Sequence, residues 1–388
     1  MTAFPYYDTA AIDALNAQAV AILKCFADHG YVRQEPGVLQ PADIFLDRSG
    51  EEIRRRTFTL TDPSGRELCL RPDLTIPICR MAVDSGWPFP QRISYNGLAF
   101  RHQPNEPHRP TQFFQAGVEL LGLDDLAAGE TEILSVTVEA LHAAGLKDFE
   151  MKVGDLALFG ALVDALDVPA QWRARLKRHF WRAGYFEELL HRLTNGAATD
   201  TQRLLGSLGG LSPADSRAAI EGLMDMVADA PQGARTREEI VERLMEQAAD
   251  AAALRLDPKV AQVITSLLNV SGTAQSAVGE IRKLTKNAGV KLDAPLAAME
   301  KRLDALRALG IDPGRVAFAA RFGRNMEYYT GFVFELWSRD AEGTVQIAGG
   351  GRYDTLLEAL GAKKHIPAIG CAIRTERVLA ARRFAGGA

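Results

Sequence analysis

Phe100-Arg101-His102-Gln103-Pro104-Asn105-Glu106-Pro107-His108-Arg109-Pro110-Thr111-Gln112-Phe113-Phe114-Gln115-Ala116-Gly117-Val118-Glu119 has two strand-like ends around a polar centre. Its three prolines cannot sustain ladder hydrogen bonding, so the runs Arg92–Arg101 and Gln112–Leu121 read as antiparallel strands joined by a polar loop. Alternation then sets Gln115, Gly117 and Glu119 on one face. Glu119, flanked by Val118, Leu120 and Leu121, is costly to bury unpaired and calls for a cationic partner, either an internal arginine or a ligand. Arg101 and Arg109 have the fork geometry to clamp a phosphate or carboxylate, or they are solvated surface arginines.

On the N-terminal side, Arg56–Thr61 and Glu67–Arg71 flank Asp62-Pro63-Ser64-Gly65 and predict a hairpin. Ile12, Leu15, Ala19, Ile22, Leu23 and Phe26 recur at helical spacing before Gly30, so the chain opens with a helix. On the C-terminal side, Asp125 precedes a helix to Leu141, Phe149–Val153 returns as a strand, and another helix runs through Leu166. From 169 to 309 Ala, Leu, Arg and Glu dominate and predict a mostly helical region, with packing of its last helices on the core left as an alternative. Strand patterns resume at Arg315–Arg321, Tyr329–Trp337 and Thr344–Ile347, before a last helix near Thr375–Arg383. The fold class expected is α+β, an antiparallel sheet flanked by helices, formed by 1–168 and 310–388 with 169–309 inserted.

The chain's 388 residues, 47% apolar and 24% charged, suffice for two or three folded domains. Net charge is −4 and pI about 6.0, which disfavours bulk binding of polyanions. Cys25, Cys69, Cys79 and Cys371 are scattered without metal-like spacing, as expected of a reduced cytoplasmic protein. No apolar run approaches a membrane span, and the N-terminus lacks the pattern of a signal peptide.

Three further segments carry chemistry. In Leu70-Arg71-Pro72-Asp73-Leu74-Thr75, residues at i and i+2 share a face and can jointly accept hydrogen bonds from an ammonium group; alternatively, Asp73 caps the helix starting near Thr75. Arg321-Phe322-Gly323-Arg324-Asn325-Met326-Glu327-Tyr328-Tyr329-Thr330-Gly331 offers a bidentate fork for a carboxylate and a phenol for a heteroaromatic nitrogen, or simply interior packing. Ala348-Gly349-Gly350-Gly351-Arg352-Tyr353-Asp354 permits close backbone approach, but lacks the pattern of a P-loop or dinucleotide fingerprint.

Taken in order, these segments resemble the class II histidyl-tRNA synthetase catalytic domain from the first helix to the last. Leu70–Thr75 is similar to R-P-E-G-T, Phe100–Gly122 to motif 2, Arg324–Tyr329 to R-G-L-D-Y-Y, Gly349–Asp354 to G-G-R-Y-D, and Gly370–Arg377 to motif 3, G-F-A-M-G-L-E-R. Gly30–Phe45, with Pro36 about one place from the motif 1 proline, is the implied homodimer segment. The resemblance implies that Asp73, Thr75 and Gln115 meet a histidine ammonium, Glu119 and Tyr329 its imidazole, and Arg324 its carboxylate. Arg101, Tyr328, Tyr353 and Gly349–Gly351 complete the implied pocket.

The nucleotide half departs from the pattern. Gln103 stands where the family has Glu, Pro104 and Thr111 replace basic positions, and Arg374 replaces a motif 3 glycine beside the nucleotide. The sequence ends 11 residues after Arg377 (388 − 377), which leads to the expectation that no anticodon-binding domain is present and no tRNA is charged. The pattern resembles the synthetase-like regulatory subunits of ATP phosphoribosyltransferase in histidine biosynthesis. That resemblance implies a non-catalytic sensor of L-histidine, without cofactor or metal, partnered with a short-form catalytic ATP phosphoribosyltransferase subunit. The alternatives are a truncated class II histidine-activating ligase and a scaffold with a relict pocket.

Overall fold

Asp8 accepts a hydrogen bond from the Ala11 N–H at 2.8 Å and so caps the first helix, α1 (Thr9–Asp28), whose buried stripe is Leu15, Gln18, Ile22 and Phe26. By length and apolarity alone α1 would pass for a membrane span, but this stripe is spent inside the fold. The computed structural model describes residues 7–46, 50–103, 110–180, 183–195, 208, 211–226, 237–252, 255–322 and 328–386. Arg109, Pro104 and Arg324 lie outside the described residues.

The chain forms two compact units, 1–161 with 268–388, and 162–267. In the larger unit α1 is followed by β1 (Val32–Arg33), β2 (Leu39–Pro41), α2 (Asp43–Leu46), α3 (Gly50–Arg56), β3 (Phe58–Thr61), β4 (Glu67–Leu70) and α4 (Thr75–Asp84). Next come β5 (Gln91–Phe100), β6 (Gln112–Leu121), α5 (Leu126–Ala143), β7 (Glu150–Asp155) and α6 (Leu156–Ala165), which runs across the division between the units. The smaller unit contains α7 (Ala170–His179), α8 (Ala183–Asn195), α9 (Pro213–Met226) and α10 (Arg237–Ala252), and most of α11 (Pro258–Leu268). Its interior is apolar, with Trp172, Leu176, Phe186, Leu189, Ile220 and Ile264 buried.

The larger unit resumes with β8 (Ser271–Thr273), α12 (Ala274–Asn287), α13 (Asp293–Ala308), β9 (Ala317–Ala319), β10 (Phe332–Asp340), β11 (Gly343–Arg352), α14 (Leu356–Ala359), β12 (Ala368–Arg374) and α15 (Thr375–Gly386). One nine-stranded sheet runs β1-β5-β6-β12-β11-β10-β7-β9-β8, and a three-stranded sheet runs β2-β4-β3. The pairings from β5 through β7 are antiparallel, as expected; β1 with β5 and β7 with β9 are parallel, so the whole sheet is mixed.

Composition draws the helical region to 309, whereas the smaller unit ends at Leu267. A buried charge network gives the reason. Arg302 on α13 donates to Glu130 of α5 at 2.7 Å and pairs with Asp155 at the end of β7, while Arg352 of β11 donates to the other oxygen of Glu130 at 2.9 Å. The Arg302 guanidinium also lies 4.8 Å from the Phe332 ring centroid. Sequence texture registers α13 as one more Ala/Leu/Arg/Glu helix, but its buried arginine belongs to the sheet.

Candidate functional site

Register lays out the floor of a pocket on one face of the central sheet. Glu119 of β6 pairs with Gly370 of β12, Gly117 with Ala372, and Gln115 with Arg374; across the hairpin, Tyr95 pairs with Gly117 and Gly97 with Gln115. On β11, Gly349 pairs with Ala372 and Gly351 with Gly370. Cross-strand partners share a face, so polar side chains stand above small residues. A Cβ at Gly370 would overlap the Glu119 Oε2, and one at Gly117 would overlap the Tyr95 hydroxyl. Glycine is therefore required because functional side chains lie across these positions.

Glu119 is 1% exposed, and its partners are phenols. Tyr95 donates to Oε1 at 3.0 Å, Tyr353 donates to Oε2, and the Gln115 amide donates to the Tyr95 hydroxyl at 3.4 Å. Burial pushes the Glu119 carboxyl up to about 7; hydrogen bonds from Tyr353, Thr75 and Tyr95 pull against that, while the charge of Asp73 adds to it. Asp73 is also raised by burial, against the opposing pull of Arg101.

Asp73 sits at the start of α4, as its capping reading expects. Its Oδ1 accepts the Ile76 N–H at 3.2 Å, whereas Oδ2 is buried without a hydrogen-bond partner among the described residues. Gln115 Oε1 is likewise buried and unpartnered. Two acceptors taken from water without donors are costly, and both belong to residues lining the same pocket.

Asp73, Thr75, Arg101, Gln115, Glu119, Tyr328, Tyr329 and Tyr353 all line this pocket, together with Arg374, Gln346 and Cys371. Its space is about 450 Å³, part of it open to solvent. Of the triple glycine, Gly349 lines the pocket; Gly350 backs onto Phe334 and Gly351 onto Tyr329, because the run is the end of β11 rather than a loop. Tyr95 is the residue motif reading misses. Pairing the two strand runs by register would have found it opposite Gly117.

Of the positions that depart from the motif pattern, Gln103 is buried and its side-chain oxygen accepts from Arg56. Arg374 stands 4.1 Å from the Phe113 ring centroid, and Arg101 donates to the Pro72 carbonyl at 2.7 Å. Elsewhere Cys25, His29 and Glu139 bring potential metal ligands within 4.8 Å of one another, but they line no part of the pocket.

The histidyl-tRNA synthetase family profile matches residues 8–248 and 220–378. An ATP phosphoribosyltransferase regulatory subunit of Rhizobium meliloti (strain 1021) is 35% identical, over 95% of this chain and 98% of its own length. The chain belongs to the family of ATP phosphoribosyltransferase regulatory subunits. A second family member, from Brucella anthropi, is 34% identical over 88% of this chain and 90% of its own length. A solved structure described as an ATP phosphoribosyltransferase regulatory subunit/histidyl-tRNA synthetase from Bacillus halodurans has the same fold, at TM-score 0.66 and 23% identity over 98% of this chain and 82% of that one. This family member thus places its buried Glu119 carboxylate and the unpartnered Gln115 oxygen on β6, and the unpartnered Asp73 oxygen just ahead of α4.

Proposed function

We propose that the chain binds L-histidine above Glu119 and conveys the occupancy of that pocket to a short-form catalytic ATP phosphoribosyltransferase subunit, which it activates and makes sensitive to feedback inhibition. The observation that carries this reading is the pair of buried, unpartnered acceptors, Asp73 Oδ2 and Gln115 Oε1. An ammonium group has three donors and no acceptor, and so matches them. Glu119, oriented by Tyr95 and Tyr353, accepts the imidazole N–H, and Thr75, Tyr328 and Tyr329 close the walls around the ring.

Inhibition then follows from unequal histidine affinity for two states of the complex, with coupling of about 1–3 kcal/mol. The same reading takes the chain to be non-catalytic and untied to tRNA, because Arg374 and the Arg56–Gln103 contact occupy the nucleotide-facing positions. It also takes the chain to dimerise through the Gly30–Phe45 segment, where Val32 on the edge strand β1 is 61% exposed and Leu39 on β2 51%. Isothermal calorimetry tests the ligand: micromolar affinity, about −8 kcal/mol, is expected for L-histidine. Absence of any binding at millimolar histidine would refute the assignment.

A further inference from the structure

The pocket floor has a polarity along the strands. Glu119 and Gly370 mark one end and Gln115 and Arg374 the other, four residues along β12, which is about 13 Å of strand. Because strand side chains alternate, Gly370, Ala372 and Arg374 share the face that carries Glu119, Gly117 and Gln115. At the far end Phe113, on the same face of β6, has the Arg374 guanidinium 4.1 Å and the Arg101 guanidinium 5.7 Å from its ring centroid. Both arginines line the pocket, as do Asp73 and Gln115 with their unpartnered oxygens.

The floor thus carries a carboxylate at one end and, at the other, the orphan Gln115 oxygen beside the Arg374 guanidinium, with Asp73 and Arg101 lining the same pocket. That arrangement complements a small zwitterion whose side chain carries an N–H donor and whose ammonium and carboxylate sit on one carbon. We propose that Arg374, together with Arg101, holds the ligand's α-carboxylate, so that the pocket selects amino acids whose carboxylate is free. Stacking on Phe113 pre-orients the planar fork that makes arginine suited to bidentate carboxylate binding. The guanidinium that bars a nucleotide is, on this assignment, a ligand-binding group. This assignment rests on the histidine reading of the pocket and adds Arg374 to it.

Calorimetry with L-histidine and L-histidinamide, which lacks the carboxylate charge, separates the two claims. The unaltered chain should prefer histidine by at least about tenfold, as charge-assisted bidentate pairs are the strong hydrogen bonds. Arg374→Leu should lose that preference by weakening histidine alone, while histidinamide affinity stays near its original value. Arg374→Gln, which keeps length and polarity, makes the same comparison with less disturbance of packing, and circular dichroism verifies that both variants are folded. If histidine and histidinamide fall together, or the preference survives in both variants, the assignment of Arg374 is overturned while the histidine pocket stands. If the unaltered chain binds neither compound, the reading of the pocket fails and this assignment fails with it.

Discussion

Glu119 illustrates how burial and hydrogen bonding compete at one side chain. Two phenols donate to it, yet desolvation prevails and its carboxyl sits at about 7 instead of the ordinary 4.5. A raised carboxyl binds a proton more tightly folded than unfolded, so its contribution to stability is complete below about pH 4.5, declines as pH rises to about 7, and is level above that. The loss across that window is about 3 kcal/mol at most. Glu119→Gln has no such proton, so its melting temperature should rise relative to the unaltered chain from pH 4.5 to 7; a constant difference would contradict the buried carboxyl. Gly370→Ala places a methyl on the Glu119 carboxylate and against the Val118 carbonyl. Overpacking of about 1–3 kcal/mol should lower the unfolding midpoint in urea and weaken histidine binding together.

At the scale of elements, Glu130 joins three others to α5, because it accepts from Arg302 on α13 and from Arg352 on β11 while Arg302 also reaches Asp155 on β7. Glu130→Gln leaves two buried guanidiniums with less counter-charge, so urea denaturation should report a loss of about 3–5 kcal/mol. A loss below about 1 kcal/mol would mean that these elements are held by apolar packing alone. Such long-range pairing is what a sequence hides. The β5–β6 hairpin was legible because prolines and alternation are local, and its expected limits differ from the observed ones by one residue at most. The nine expected site residues all come from short motifs, and eight of them line one pocket while Arg324 lies outside the described residues; Tyr95 is not among them, since its place comes from register with Gly117 and contact with Glu119. The triple glycine was legible as a place of close approach, but not what approaches: Phe332, Phe334 and Tyr329 press on β11 so closely that only glycine fits within the strand. The helical texture does run to Ala308, but which unit its last helices join is not legible, because Arg302, the residue that ties α13 to the sheet, resembles any surface arginine in sequence.

For the whole molecule, the proposed reading, in which the pocket takes an amino acid and Arg374 stands where a nucleotide would lie, means that the chain should not catalyse histidine-dependent exchange of pyrophosphate into ATP, and measurable exchange by the purified chain would favour the ligase alternative. The central claim is that this pocket is the place where histidine acts on a separate catalytic chain. Mixing the chain with a short-form ATP phosphoribosyltransferase and following turnover with and without histidine tests it most directly, in parallel for the unaltered chain and for Glu119→Gln. The unaltered mixture should turn over faster than the catalytic chain alone and slow when histidine is added. The Glu119→Gln mixture should keep the acceleration and need at least about tenfold more histidine for the same inhibition, since one charged partner of the ligand is lost. Full inhibition of the Glu119→Gln complex at unchanged histidine concentration would place the regulatory site elsewhere and contradict the account.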